Sequence, residues 1–240
     1  MRRLLVLCSG LLGLLDGASA QAPALTPFGA AGGAPAAPWH VVGLPQQTKP
    51  FTQFSVVDLD GKRALKVESK EAYGNVVHPL AWTTTSAKLA WQWRIEEPID
   101  GSDLTQKAGD DTALKVCVFF DLSIDKIPFG DRQLLRFARS KTTEPVPAAT
   151  ICYVWDAKLA AGTTLDNAFT KRMRYVVVRS GPQKLNQWSS EKRDVTADFI
   201  KLFGAESDTV PPIIGIAIGA DSDNTKSRSV GYVTGVALEP

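Results

Sequence analysis

The residues that could do chemistry fall into two acidic groups far apart in the chain. Asp110 and Asp111 open one strand-like run, and Asp221, Asp223 and Asn224 sit in a polar loop near the C-terminus. Carboxylates with a side-chain amide suit a hard cation such as calcium, which takes oxygen ligands from such loops. Asp221, Asp223 and Asn224 are the candidate ligands, although the Gly and distant Glu of an EF-hand loop are missing. The same residue types also make turns by bonding their own backbone. A shared cation site, or a joint acid–base role for Asp111 with Asp221 or Asp223, requires the fold to bring the two groups to one corner. A glycosidase needs its two carboxyls about 5 to 9.5 Å apart.

A second set is aromatic. Rings exposed on a sheet or loop rim stack on the apolar faces of sugars, while Asp, Asn and Arg bind hydroxyls. Trp155 and Trp188, each next to polar residues, are the candidates, and Arg193 could reach the same rim. Trp91 and Trp93 share one strand face with Leu89 and Ile95, alternating with Lys88, Gln92, Arg94 and Glu96, and read as core. Other chemistries find little support. The chain has two histidines, His40 and His78, and no G-x-S-x-G. It has neither the His/Cys clusters of a zinc site nor a phosphate loop.

The segments that must position these residues are strand-like. Ile213 to Ile218 and Val230 to Leu238 flank the acidic loop and read as a strand–loop–strand hairpin around which the sheets are organised. Asp60-Gly61 between apolar runs is a hairpin turn. Thr112 to Asp121 is the most strand-like run, and Ala149 to Trp155 and Lys171 to Ser180 are further strands. Asp131 to Lys141 reads as a short helix or a decorated loop, and Trp188 to Phe203 holds a short helix ending at Gly204. Some nine or ten short strands with one or two short helices predict an all-β fold, an antiparallel β-sandwich of jelly-roll-like form.

The ends of the chain are compositionally distinct. Arg2 and Arg3, the apolar stretch Leu4 to Leu15 and Ala18-Ser19-Ala20 have the order of a secretory signal peptide over residues 1–20. Residues 21–38 are rich in Ala, Pro and Gly without charge, and read as a disordered or loosely laid leader. Residues 39–240 form the single domain. The expected destination is the bacterial periplasm or exterior, with no membrane span after cleavage. The formal charge of +2 falls to +1 once Arg2, Arg3 and Asp16 leave, which excludes a nucleic-acid footprint. Cys117 and Cys152 remain in the mature chain. They either bridge two strands in an oxidising compartment or act as small buried apolar residues.

Taken in order, WQWRIEEPID, GDDTALKVCVFFD, YVWDAKLAAGT, VVVRSG, WSSEKRDVTADFIKLFG and IGIAIGADSDNT resemble the bacterial family of unknown function DUF3047. The resemblance covers about Trp39 to Leu238 and implies an exported, all-β domain without an established activity. Three functions fit the residues. The first is a sandwich that binds a glycan or another polar ligand, with a cell-envelope component as a possible partner. The second is a carbohydrate-active hydrolase or lyase using rim carboxylates, and the third a structural envelope protein.

Overall fold

The computed structural model describes residues 22–240, so the expected signal peptide lies outside the described residues. Two sheets face each other. The larger has seven strands in the order β1 (His40–Val42), β4 (Tyr73–Trp82), β11 (Ile213–Asp221), β6 (Thr112–Phe120), β7 (Ala149–Asp156), β9 (Met173–Ser180) and β8 (Thr164–Asp166). The smaller has five, in the order β10 (Ser189–Asp194), β5 (Lys88–Glu97), β12 (Arg228–Glu239), β3 (Lys62–Lys70) and β2 (Gln53–Leu59). The chain changes sheet between β1 and β2, at every step from β3 to β6, and at every step from β9 to β12. That repeated crossing is the jelly-roll-like feature of this all-β sandwich. Neighbours are antiparallel except β7 and β9, which run parallel.

Period-two alternation decides which side chains fill the space between the sheets. Leu89, Trp91, Trp93 and Ile95 of β5 all face inward and are essentially inaccessible. They meet Val116, Val118 and Phe120 of β6, Ile151 and Tyr153 of β7, and Ile216 and Ile218 of β11. Trp91 lies 5.3 Å from Tyr153 and 5.5 Å from Trp93, ring centre to ring centre. Truncating either tryptophan to Ala would cost about 3–5 kcal/mol.

The Asp60-Gly61 turn is the tight hairpin that its sequence predicts. Both residues have positive φ, 51° and 72°, as a two-residue turn matched to the strand twist requires. Two helices add side chains to the core cluster. Helix α1 spans Phe129–Arg139, resolving the choice between helix and loop. The stretch from Trp188 to Phe203 divides, with β10 first and then helix α2 over Val195–Phe203. Asp194 caps α2 by accepting from the backbone N–H of Ala197 at 2.9 Å, and Val195, Phe199 and Phe203 enter the core.

Two expectations need correction. The terminal strand–loop–strand is no hairpin, because β11 and β12 lie in different sheets and do not pair. Each strand is apolar on both faces over part of its length, so each is more fully buried at the centre of its own sheet than it would be against the other. The Ala/Pro/Gly leader is laid firmly on the sandwich. Gly32 and Gly33 exchange backbone hydrogen bonds of 2.8 Å with Val56, covering the edge strand β2. Phe28 is buried 5.1 Å from Trp39. The Trp39 indole N–H donates to Thr26 O at 2.7 Å, and the Thr26 N–H donates to His78 Nε2 at 3.1 Å. These few aromatic and backbone contacts offset an ordering cost that composition alone leaves uncovered. His78 is thereby a buried structural residue, and burial lowers its pKa.

Candidate functional site

The outer face of the larger sheet carries a cleft of about 560 Å³. Its cause is legible in one strand. The alternation G-I-A-I-G over 215–219 sends Ile216 and Ile218 into the core and leaves Gly215, Ala217 and Gly219 outward. A Cβ on Gly219 would collide with the Asn75 side chain and come 2.6 Å from Gly74 O. The floor is therefore built by the flanking strands, from Val77 of β4, Cys117 and Phe119 of β6, and Cys152 of β7. Helix α1 forms one wall with Leu134 and Leu135, and the segment Gly43–Lys49 contributes to another. Arg172 ties that helical wall to the sheet, donating to Asp131 Oδ2 at 3.0 Å and to Glu206 at 2.5 Å.

Cys117 and Cys152 stand opposite each other on β6 and β7 and are joined as a disulfide across the floor. Of the two readings open at the sequence level, the bridge is the one realised. It gives the middle of the cleft an apolar base that no rotamer change can open.

One end of the cleft is polar and buried. Lys115 projects outward from β6 into this end and is 1% exposed. It donates to Asp221 Oδ2 at 3.0 Å and lies 5.0 Å from the Tyr73 ring centre. Burial pulls the Lys115 ammonium down, but the charges of Asp221 and Asp110 and the Tyr73 hydroxyl more than offset this, and its pKa is raised. The other oxygen of Asp221 accepts from the Thr112 N–H at 2.7 Å and from the Thr112 hydroxyl. Asp110 is 3% exposed. It accepts from the Tyr175 hydroxyl at 3.1 Å and from the Asn167 amide. Burial, followed by the repulsion of Asp221, pushes its pKa up to about 6.

The two acidic groups thus meet at one corner, but their members play different parts. Asp110, Asp221, Asp223 and Asn224 line the cleft. Asp111, fully buried, holds the loop between β11 and β12. It accepts from the N–H of Asn224 at 3.2 Å, from the N–H of Thr225 at 2.7 Å, and from both of their side chains. Asp223 pairs with Lys49 across the cleft mouth.

Calcium at Asp221, Asp223 and Asn224 would have to displace these partners. Asp221 is engaged by Lys115 and Thr112, Asp223 by Lys49, and the Asn224 amide donates to Asp110 O and to Asp111. No group of three or more His, Cys, Asp or Glu side chains among the described residues is arranged to hold a metal ion.

Trp155, Trp188 and Arg193 lie elsewhere. Trp155 is core, 5.9 Å from Trp93, with its indole N–H donated to Gly181 O at 2.9 Å. Trp188 packs on the outer face of the smaller sheet with Ala64 and Tyr232 and donates to Asp60 at 3.1 Å. Arg193 grips Asp198 of α2 at 2.7 and 3.0 Å, fixing the helix to β10. Among the described residues no rim of exposed tryptophans forms, because Trp155 finds its apolar cover across the sandwich and Trp188 on the far face.

Sequence reasoning missed Lys115, Tyr73, Asn75, Asn167 and Tyr175. Lys115 did leave a signal. A lysine inside the apolar run ALKVCVFF is buried with its strand, and a buried lysine needs a partner. The neutral amides and phenols left none.

The fold and cleft define the class of the protein, an all-β sandwich with a concave, largely apolar site on one outer face. The chain belongs to DUF3047, described as a protein of unknown function, which matches residues 37–237. No curated protein matches the chain in sequence. Similar solved structures include TmCBM61 in complex with beta-1,4-galactotriose, 8% identical over 84% of this chain and 88% of that chain, with a TM-score of 0.36. The Trichoderma harzianum endoglucanase 3 from family GH12 is 10% identical over 85% of this chain and 99% of that chain, with a TM-score of 0.38. The cellulose induced protein Cip1 is 9% identical over 83% and 90%, with a TM-score of 0.34. No helix among the described residues is long and apolar enough to cross a membrane.

Proposed function

We propose that this protein is an exported binding domain that takes a short glycan in the cleft on its larger sheet. The observation that supports this reading best is the division of the cleft, with an apolar floor and walls leading to an end rich in fixed polar groups. Sugars need both. Their C–H faces lie on rings and aliphatic surface such as Phe119, Tyr73 and Val77, and their hydroxyls bond convergent amides and carboxylates such as Asn75, Asn167 and Asp110. Export is supported by the signal-like N-terminus and by the Cys117–Cys152 bridge, which belongs to an oxidising compartment.

Calorimetric titration with a panel of neutral oligosaccharides tests the reading. Phe119→Ala, which removes a ring from the floor, should weaken binding by about ten-fold, about 1.4 kcal/mol. Trp188→Ala, on the opposite outer face, should leave affinity unchanged. Equal effects of the two substitutions would remove the cleft as the site.

A second reading, a hydrolase with Asp110 as general acid, is favoured by one observation. A buried carboxyl with a pKa near 6 in a cleft is suited to proton donation. Against it, both oxygens of the nearest partner, Asp221, are engaged by Thr112 and Lys115. Release of reducing ends from any panel member, lost in Asp110→Asn, would replace the binding reading with this one.

A further inference from the structure

The charges at the polar end of the cleft do not balance. Asp221 is paired with Lys115 at 3.0 Å, and Asp223 with Lys49. Asp110, in the same cleft lining and nearly inaccessible to solvent, receives hydrogen bonds only from neutral donors, the Tyr175 hydroxyl and the Asn167 amide. Three carboxylates therefore face two ammonium groups around one concave end. Asp111, the fourth carboxylate of the corner, does not line the cleft and is bonded to the loop between β11 and β12; the remaining groups there, Tyr73, Asn75, Thr112 and Asn224, are uncharged.

Lys115 attracts Asp110 as well, but its ammonium is bonded to Asp221. A buried anion that shares a counter-charge with another carboxylate is unfavourable, and a cation that enters the cleft relieves the imbalance. We infer that the ligand carries a primary ammonium group that pairs with Asp110, so that the cleft prefers amine-bearing sugars over neutral or N-acetylated ones. This deepens, and rests on, the reading of the cleft as a glycan site. A metal ion fits less well as the missing cation, since the surrounding oxygens already accept from Lys49, Lys115 and Thr112. Each Asp110 oxygen accepts one neutral donor and keeps acceptor capacity for a second. An ammonium needs only that capacity and carries its three donors in a compact head. Acetylation removes the charge and adds bulk beside Asp110 and Asn167, which line that end.

The test uses the full mature chain and three tetrasaccharides of the same linkage: β-1,4-linked glucosamine, its fully N-acetylated form, and cellotetraose. Each is titrated calorimetrically at pH 7 and low salt. The glucosamine tetramer should bind about ten-fold or more tighter than the other two, as expected for a desolvated charge pair. Asp110→Asn should bring it down to their level, whereas Asp60→Asn, on the far sheet, should not. If the wild type binds cellotetraose as well as the amine, or Asp110→Asn keeps the preference, the inference fails while the cleft reading stands. Absence of binding by all three probes overturns both. Should Asp110→Asn fail to fold, the wild-type preference alone decides.

Discussion

Asp110 and Asp111 are consecutive, chemically identical and both buried, yet they belong to two regions with opposite demands. The corner around Asp111 is saturated. Two backbone N–H groups, a hydroxyl and an amide converge on its oxygens and fold the loop between β11 and β12 around it. The cleft end around Asp110 is under-compensated: it has two neutral donors, and burial and the charge of Asp221 outweigh the attraction of Lys115. Burial alone therefore says little about what a carboxylate does. The number and charge of its partners separate a carboxylate that anchors a loop from one left under-compensated.

The largest test of the contrast is Asp111→Ala. It strands several donors in a site without water access, and should lower the unfolding free energy by about 3–5 kcal/mol in urea denaturation. A loss below about 1 kcal/mol would mean that the loop is held by something else.

Asp110→Asn should act in the opposite direction and depend on pH. The native pKa of about 6 lies above the ordinary 3.8, so the native protein takes up a proton more readily than the unfolded chain. The stability from this group is fully present below pH 3.8 and is lost as pH rises through 6. At pH 7.5 the substitution removes that penalty and should raise stability by up to about 3 kcal/mol, less what is lost in acceptor capacity. The gain should vanish near pH 3.5. Thermal unfolding of both proteins across this range measures it, and a gain independent of pH would contradict the charge argument.

The smallest effect concerns calcium. With Asp221 and Asp223 already paired to lysines, millimolar calcium or a chelator should leave the melting midpoint within about 1 °C. A rise with calcium that saturates would restore the metal reading of Asp221, Asp223 and Asn224.

Much of the frame could be read in advance. Alternation placed Leu89, Trp91, Trp93 and Ile95 on one buried face, Asp60-Gly61 marked its turn, and the ordered motifs from Trp91 to Thr225 pointed to the family. The cleft itself was less visible. The small outward residues of G-I-A-I-G look like weak strand positions until the strand is seen between β4 and β6, where their lack of side chains opens the groove. Trp155 and Trp188 looked available because neighbouring residues are polar, but packing across the sandwich and on its far face claimed both rings.

By itself, then, the amino-acid order determined what is local. Strand periodicity, turn chemistry, the inward tryptophans and the strand-borne cysteines depend on residues a few positions apart, where backbone sterics and side-chain spacing act directly. Tertiary structure alone decided which strands became neighbours, and so which charges met. Lys115 and Asp221 are 106 residues apart, and Asp110 and Asn167 are separated by 57. Pairings over such distances follow from the global closure of two sheets around a shared core, a property that no short window of residues carries.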